Sequence, residues 1–331
     1  MRLGLSVWLG CALLCLMTTA HAHDIRPAYL ELTKTPSGDI RIVWRQPIAG
    51  VYAVPLVPRI STGWLDREPS LTERTDTLLV REWHIRAPTA ELVGATVSVE
   101  ALERTITDVL LHVRYPDGSE LTQLLRPSAP SFSIPSAAKA GAPVKEYLLL
   151  GITHIWGGID HLLYVFGLTL LVRDPRALLK TITGFTAAHS MSLAAAALGV
   201  IHVPSAPVEA CIALSIMYVA AEVLGAREGR VSLAQRAPWL IAFCFGLLHG
   251  LGFAGALAEI GLPARHIPVA LLLFNIGIEI GQISFVALLL GAFHTLRRVA
   301  PRWATGLQWA PPYVIGGLAS FWFLQRFAAI F

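Results

Sequence analysis

EYLLLGITHIWGGIDHLLYVFGLTLLV, residues 146–172, is an apolar run with ionisable residues inside it. It is long enough to cross a bilayer as one helix, which takes about 20 apolar residues. Yet His154, Asp160 and His161 sit inside it. A charged side chain at the centre of a membrane helix costs about 2.5–3.5 kcal/mol on insertion scales. Such residues are therefore expected to face a protein interior, paired or working. His154 and His161 are nearly two helical turns apart and share a face, whereas Asp160 lies about 100° from His161 and can meet a different neighbour.

Toward the C-terminus, further apolar runs occupy approximately 177–199, 207–226, 237–258, 267–295 and 308–328, so six membrane helices are expected over 146–331. The loops alternate in charge. Arg173, Arg176 and Lys180, then Arg227, Arg230 and Arg236, then Arg297, Arg298 and Arg302 fall on one side; the opposite loops hold little that is basic beyond Arg265. Basic loops stay cytoplasmic, which puts the segment before residue 146 on the outside. The N-terminus agrees independently. Arg2, the apolar run Leu3–Met17 and Ala20-His21-Ala22 have the order of a secretory signal with its cleavage site, giving a signal peptide over 1–22; the alternative is an uncleaved anchor. Neither Cys11 nor Cys15 lies in a lipobox, and cleavage would leave only Cys211 and Cys244, both in apolar segments. The exported domain is thus expected to fold without disulfides.

Residues 23–126 read as a small all-β, sandwich-like exported domain. Two hairpins carry that reading: 29–32 with 40–44 across Pro36-Ser37-Gly38-Asp39, and 109–113 with 121–125 across Pro116-Asp117-Gly118. Further strand candidates are 78–80 and 95–102. Residues 127–145, rich in Pro, Ser and Ala, read as a linker. The whole chain is 331 residues, 54% hydrophobic and only 15% charged, with a mean hydropathy of +0.59. Soluble domains are about one quarter charged, so a lipid bilayer is the expected surrounding. The net charge of +4 lies in short loops rather than on one face, which argues against a nucleic-acid partner.

Polar residues recur inside the later spans. His189 stands beside Thr186 and Ser190; His249 lies in Gly246-Leu247-Leu248-His249-Gly250, where glycines permit close backbone approach. Asn275, Glu279 and Gln282 are spaced four and three, hence on one face. Counting from the span boundaries puts His161, His189, His249 and Glu279 at similar mid-membrane depth, with His154 and Asn275 as an outer step. One membrane histidine alone is an ordinary interhelical hydrogen-bond partner. Four with two acids at matched depth point to a shared site, and imidazole plus carboxylate suits nickel, cobalt, zinc or copper. Glu209 and Glu222 lie near helix ends and can reach the interface. His84, His112, His202 and His294 read as ordinary strand or loop residues.

His154-Ile-Trp-Gly-Gly-Ile-Asp160-His161 resembles the His-x5-Asp-His signature of the HupE/UreJ family, membrane proteins associated with hydrogenase and urease. Thr186-Ala-Ala-His189-Ser190, Phe245-Gly-Leu-Leu-His249-Gly250 and Phe274-Asn275-Ile-Gly277-Ile-Glu279-Ile-Gly281-Gln282 extend the likeness over about the last 190 residues, in the branch with an added exported domain. The resemblance implies nickel uptake, with the first-span His and Asp as metal contacts, in a bacterial inner-membrane protein whose N-terminal domain is periplasmic. Ile155 replaces a frequent proline after the first His, and Gly246 stands where a second His is expected, so a ligand is absent or moved.

The sequence thus predicts a permease for a divalent transition-metal ion, nickel favoured, with His154, Asp160, His161, His189, His249, Asn275 and Glu279 as the metal-site candidates. Neutral imidazoles bind metal, so binding competes with protons. No P-loop signature is present, which argues against ATP hydrolysis by this chain. An intramembrane metalloenzyme, with Asp160 or Glu279 as general base, is the alternative of a different class. A metal-sensing role, or a partnership with a metalloenzyme maturation system or an exported metal-binding protein, is a third.

Overall fold

The computed structural model describes residues 27–330, except 36, 50–51, 54–55, 76–77, 87–91, 106, 136–143, 202, 261–266, 301–308 and 329. The signal-peptide segment therefore lies outside the described residues, as do His202 and residues 136–143 of the expected linker.

The N-terminal part is β structure: β1 (Ala28–Lys34), β2 (Asp39–Ala49), β3 (Tyr52–Ala53), β4 (Val57–Ile60), β5 (Leu71–Arg74), β6 (Leu78–Arg86), β7 (Thr96–Glu100), β8 (Val109–Arg114), β9 (Glu120–Leu125) and β10 (Ser131–Ser133). Both expected hairpins are present, with Leu30 opposite Trp44 in one and Leu111 opposite Gln123 in the other. Their turns use Gly38 and Gly118 at positive φ, which a residue with a Cβ adopts only with strain. One sheet runs β5-β6-β2-β1-β8-β9 with β3 added to β2; a second runs β10-β7-β4. Alternate residues Leu30, Leu32, Ile42, Trp44, Val109 and Leu111 of the first sheet share a core with Val97 and Val99 of the second. β10 falls inside the stretch that composition reads as linker; its three residues pair with β7, and a strand so short and polar leaves no hydrophobic pattern.

The first sheet is covered on its other face too. Tyr29, Leu110 and Leu124 cluster with Tyr147, Leu150 and Phe274 of the helical part. That explains why β8 is buried along five consecutive residues: a strand with both faces covered reads as a continuous apolar run. Thr153 Oγ1 donates to Asp108 Oδ2 at 3.1 Å across the same junction. Burial raises the Asp108 carboxyl above its ordinary value, against smaller lowering effects from Thr153 and Arg126. At the far edge of the sheet the sign is opposite, because the Arg41 guanidinium, 2.6 Å away, holds Glu82 below its ordinary value.

The helical part contains α1 (Val144–Gly157), α2 (Ile159–Leu171), α3 (Pro175–Ala197), α4 (Ser205–Arg227), α5 (Pro238–Ile260), α6 (Ile267–Val299) and α7 (Ala310–Ala328). Asp174 caps α3, accepting from Ala177 N at 2.8 Å, with Pro175 at the first helical position. α3 packs along α5, α1 along α6, and α4 along α7. Glycines set two of these contacts. A Cβ on Gly151 would meet the Phe274 carbonyl, and one on Gly250 the His189 carbonyl, so bulk at either site would force the helices apart.

Two helices, Ser205–Arg227 and Pro268–Val299, are long and apolar enough to cross a membrane, and α1 with α2 makes a third if that pair is one span bent by 73°. α5 contributes a shorter apolar stretch, Pro238–Gly252. The expected spans at α3 and α7 fall short of that test. α3 carries Lys180, Thr181, Thr183, Thr186, His189, Ser190 and Ser192, and α7 carries Pro311, Pro312, Gln325 and Arg326. The polarity of α6 is arranged for lipid. Leu272, Ile276, Ile280 and Ile283 form an exposed apolar stripe, while Asn275 and Gln282 are buried.

Candidate metal centre

Three imidazoles meet in the helical part. One nitrogen each from His154, His161 and His189 lies within 4.8 Å of the others, and all three residues are buried. His154 comes from α1 and His161 from α2, the two helices of the bent pair. In a straight helix seven residues would separate them by about 10.5 Å along the axis. The break after Gly157 and its 73° bend fold one half over the other, and the two rings stand 4.8 Å apart, edge to face. His154 and His161 thus stand side by side in one group. His189, fully buried on α3, completes it with its ring 6.0 Å from that of His161.

The hydrogen bonds around the rings decide which nitrogens keep a lone pair. Asn275 Nδ2 donates to Leu271 O at 2.7 Å, so its Oδ1 faces His189 Nδ1, 3.4 Å away. An amide oxygen only accepts, so His189 carries its proton on Nδ1 and its lone pair on Nε2. His249 is set the same way. Ser215 Oγ donates to Ile212 O at 2.6 Å and so accepts from His249 Nε2 at 3.0 Å, leaving the lone pair on Nδ1. The Nε2 atoms of His161 and His189 and Nδ1 of His249 are buried with no hydrogen-bond partner among the described residues. A buried polar atom left unsatisfied costs about 1–3 kcal/mol, and the nitrogens of His154, His161 and His189 stand close enough together that they could hold a metal ion. Phe185, Tyr164 and Phe274 wall the group, with Phe185 and Tyr164 each 5.1 Å from the His249 ring and Phe274 5.4 Å from that of His154.

The other sequence candidates are distributed around this group. His249 adjoins it, its ring 5.1 Å from that of His161. Asn275 orients His189 through its oxygen. Glu279 accepts from Thr183 Oγ1 at 2.6 Å and, like Asp160, lies outside the three-histidine group. Glu279 is rotated about 60° from Gln282 around the helix, and Gln282 instead accepts from Thr186 at 2.9 Å. Asp160, about 100° around α2 from His161, meets a different neighbour. Its Oδ2 accepts from Arg326 Nη2 at 2.8 Å. Glu209 is also beside Arg326, 3.7 Å from Nε, while Glu222 accepts from Ser232.

Sequence reasoning missed Ser215 and Arg326. A serine within an apolar helix is unremarkable in sequence, because its hydroxyl can bond the preceding turn. An arginine at the end of a last span looks like one that reaches for the interface; the signal against that reading was the pair of acids, Asp160 and Glu209, left without a basic partner.

A β-sheet region followed by lipid-adapted helices enclosing three buried histidines defines a membrane protein with a candidate intramembrane metal site. The family model of the HupE / UreJ protein matches residues 132–326, more than half of the chain, and the chain belongs to that family. No curated protein and no solved structure matches it.

Proposed function

We propose that the protein is a membrane permease for a divalent transition-metal ion, nickel favoured, whose cargo is held by His154, His161 and His189 with His249 alongside. The observation that carries this reading is the convergence of three buried imidazole nitrogens within 4.8 Å. Nitrogen donors about 2.0–2.1 Å from an ion stand about 3–4 Å apart, so small ring rotations would close the site. Neutral imidazole favours nickel, cobalt, zinc or copper over magnesium or calcium, and the family's association with nickel or cobalt uptake supports nickel. Transport requires a site weak enough for the ion to leave.

The same reading takes the helices as six spans, with the pair α1–α2 as one. The basic loops are cytoplasmic, and the β-sheet region of residues 23–126 is a periplasmic domain over the outer mouth. The test is uptake of radiolabelled nickel by cells lacking their own nickel permease. Expression of the full chain should support uptake, and His161→Ala or His189→Ala should reduce it to the background of empty cells. Uptake at the wild-type rate in the double variant, with the protein present in the membrane, would refute the assignment.

A further inference from the structure

α2 packs along α4, where a Cβ on Gly167 would meet the Val219 side chain, and both helices end on arginines. Arg227 is the last residue of α4, and Arg173 follows the end of α2 by two residues. Arg173 stands near enough for its charge to repel that of Arg227. The Arg227 guanidinium lies over Trp309, 5.5 Å from the ring centre, just before α7 begins at Ala310. Two helix ends and one helix start therefore frame a pair of like charges.

The acids nearby in the chain are engaged elsewhere. Asp174 caps α3 through Ala177 N at 2.8 Å, Glu228 accepts from Arg230 at 2.7 Å, and Glu222 accepts from Ser232. Among the described residues no carboxylate pairs with Arg227, and its Nη1 is buried with no hydrogen-bond partner. A basic residue at a helix C-terminus is ordinary, because it meets the negative end of the helix dipole. The dipole does not account for two such cations set against each other, nor for a buried guanidinium nitrogen that lacks an acceptor. An anion between the two arginines removes both penalties, and the planar fork of arginine matches phosphate oxygens. The surface beside the pair is aromatic and open: Trp309 is 40% exposed and Tyr313, on the first turn of α7, 64%. Such residues sit at headgroup level in a bilayer.

We propose that Arg173, Arg227 and Trp309 form a binding site for the phosphate of an anionic phospholipid, where α2 and α4 end and α7 begins. The two guanidinium groups hold the phosphate, and the aromatic side chains meet the lipid at the level of its headgroup. The bound phosphate cancels the repulsion between Arg173 and Arg227, so the lipid holds the end of α2 against the end of α4. None of these residues belongs to the histidine group, and the site stands whether or not those histidines carry cargo.

The test counts lipid bound to the purified full-length protein by native mass spectrometry, with dioleoyl phosphatidylglycerol and dioleoyl phosphatidylcholine titrated separately. The anionic lipid should bind about tenfold more tightly than the zwitterionic one. Arg173→Gln together with Arg227→Gln should reduce phosphatidylglycerol binding to the phosphatidylcholine level. Arg297→Gln together with Arg298→Gln removes the same charge from the end of α6 and should leave the preference intact. Equal binding of the two lipids by the wild type, or a preference that survives in the Arg173, Arg227 variant, overturns the proposal. So does an equal loss in both double variants, which would mean diffuse attraction to a basic surface. Displacement of phosphatidylglycerol by sodium phosphate, but not by sodium chloride of the same ionic strength, would assign the site to a free anion and overturn the lipid. If the double glutamine variant does not fold, Arg227→Lys replaces it. Lysine keeps the charge but loses the fork, so a loss of a few fold is expected, and no loss overturns the proposal.

Discussion

Asn275 sets the chemistry of His189 without joining the three-histidine group. Its amide is locked by Leu271, and the locked oxygen commits the imidazole proton to Nδ1. Outer-shell partners of ligating histidines typically matter by 10–100-fold in metal affinity. Asn275→Ala should therefore lower nickel affinity by about tenfold or more in a titration of folded protein, and unchanged affinity would show that the tautomer is set elsewhere. At this scale the sequence was informative about the histidines, because an imidazole in an apolar run is expensive and must face something. It was less informative about roles. Asn275, Glu279 and Gln282 look equivalent by spacing, and only the rotation of each around α6 separates the residue meeting His189 from those meeting Thr183 and Thr186. Asp160 was legible as a buried acid but not as the partner of Arg326, since the two are 166 positions apart.

The bent pair α1–α2 is the element on which the site depends. Gly158 sits at the break with φ −80° and ψ 91°, and a Cβ there would lie 2.8 Å from the His154 carbonyl and 2.9 Å from His161 Nδ1. Either the break or the His161 ring would have to give way. Gly158→Ala is expected to destabilise the protein by about 1–3 kcal/mol, the usual cost of overpacking, and to weaken nickel binding in the same preparation. A melting temperature and affinity equal to the wild type would mean that the break does not need glycine. Two glycines after a tryptophan are visible in sequence, but a 73° bend is not, because a hydropathy profile is blind to direction. The strands divide in the same manner. The hairpins announce themselves through Pro-Ser-Gly-Asp and Pro-Asp-Gly turns. The parallel pairing of β1 with β8, which builds the centre of the large sheet, joins segments with no turn between them to mark it.

For the molecule as a whole, polarity is distributed for a bilayer: apolar residues outward on α6, imidazoles and amides inward, and a β-sheet whose second face rests on the helices. The sequence reading of a sheet region followed by membrane helices agrees with this arrangement. Its count of six spans exceeds the two or three that the helices support by length and apolarity, because polar residues dilute α3 and α7. The central claim is that the buried histidines form one metal centre. Nickel-edge X-ray absorption on the purified, nickel-loaded protein tests it most directly. A single three-histidine centre gives outer-shell scattering from about three imidazoles around one ion, lost on His161→Ala together with His189→Ala. Oxygen-only scattering, or an imidazole signal that survives the double substitution, would contradict it.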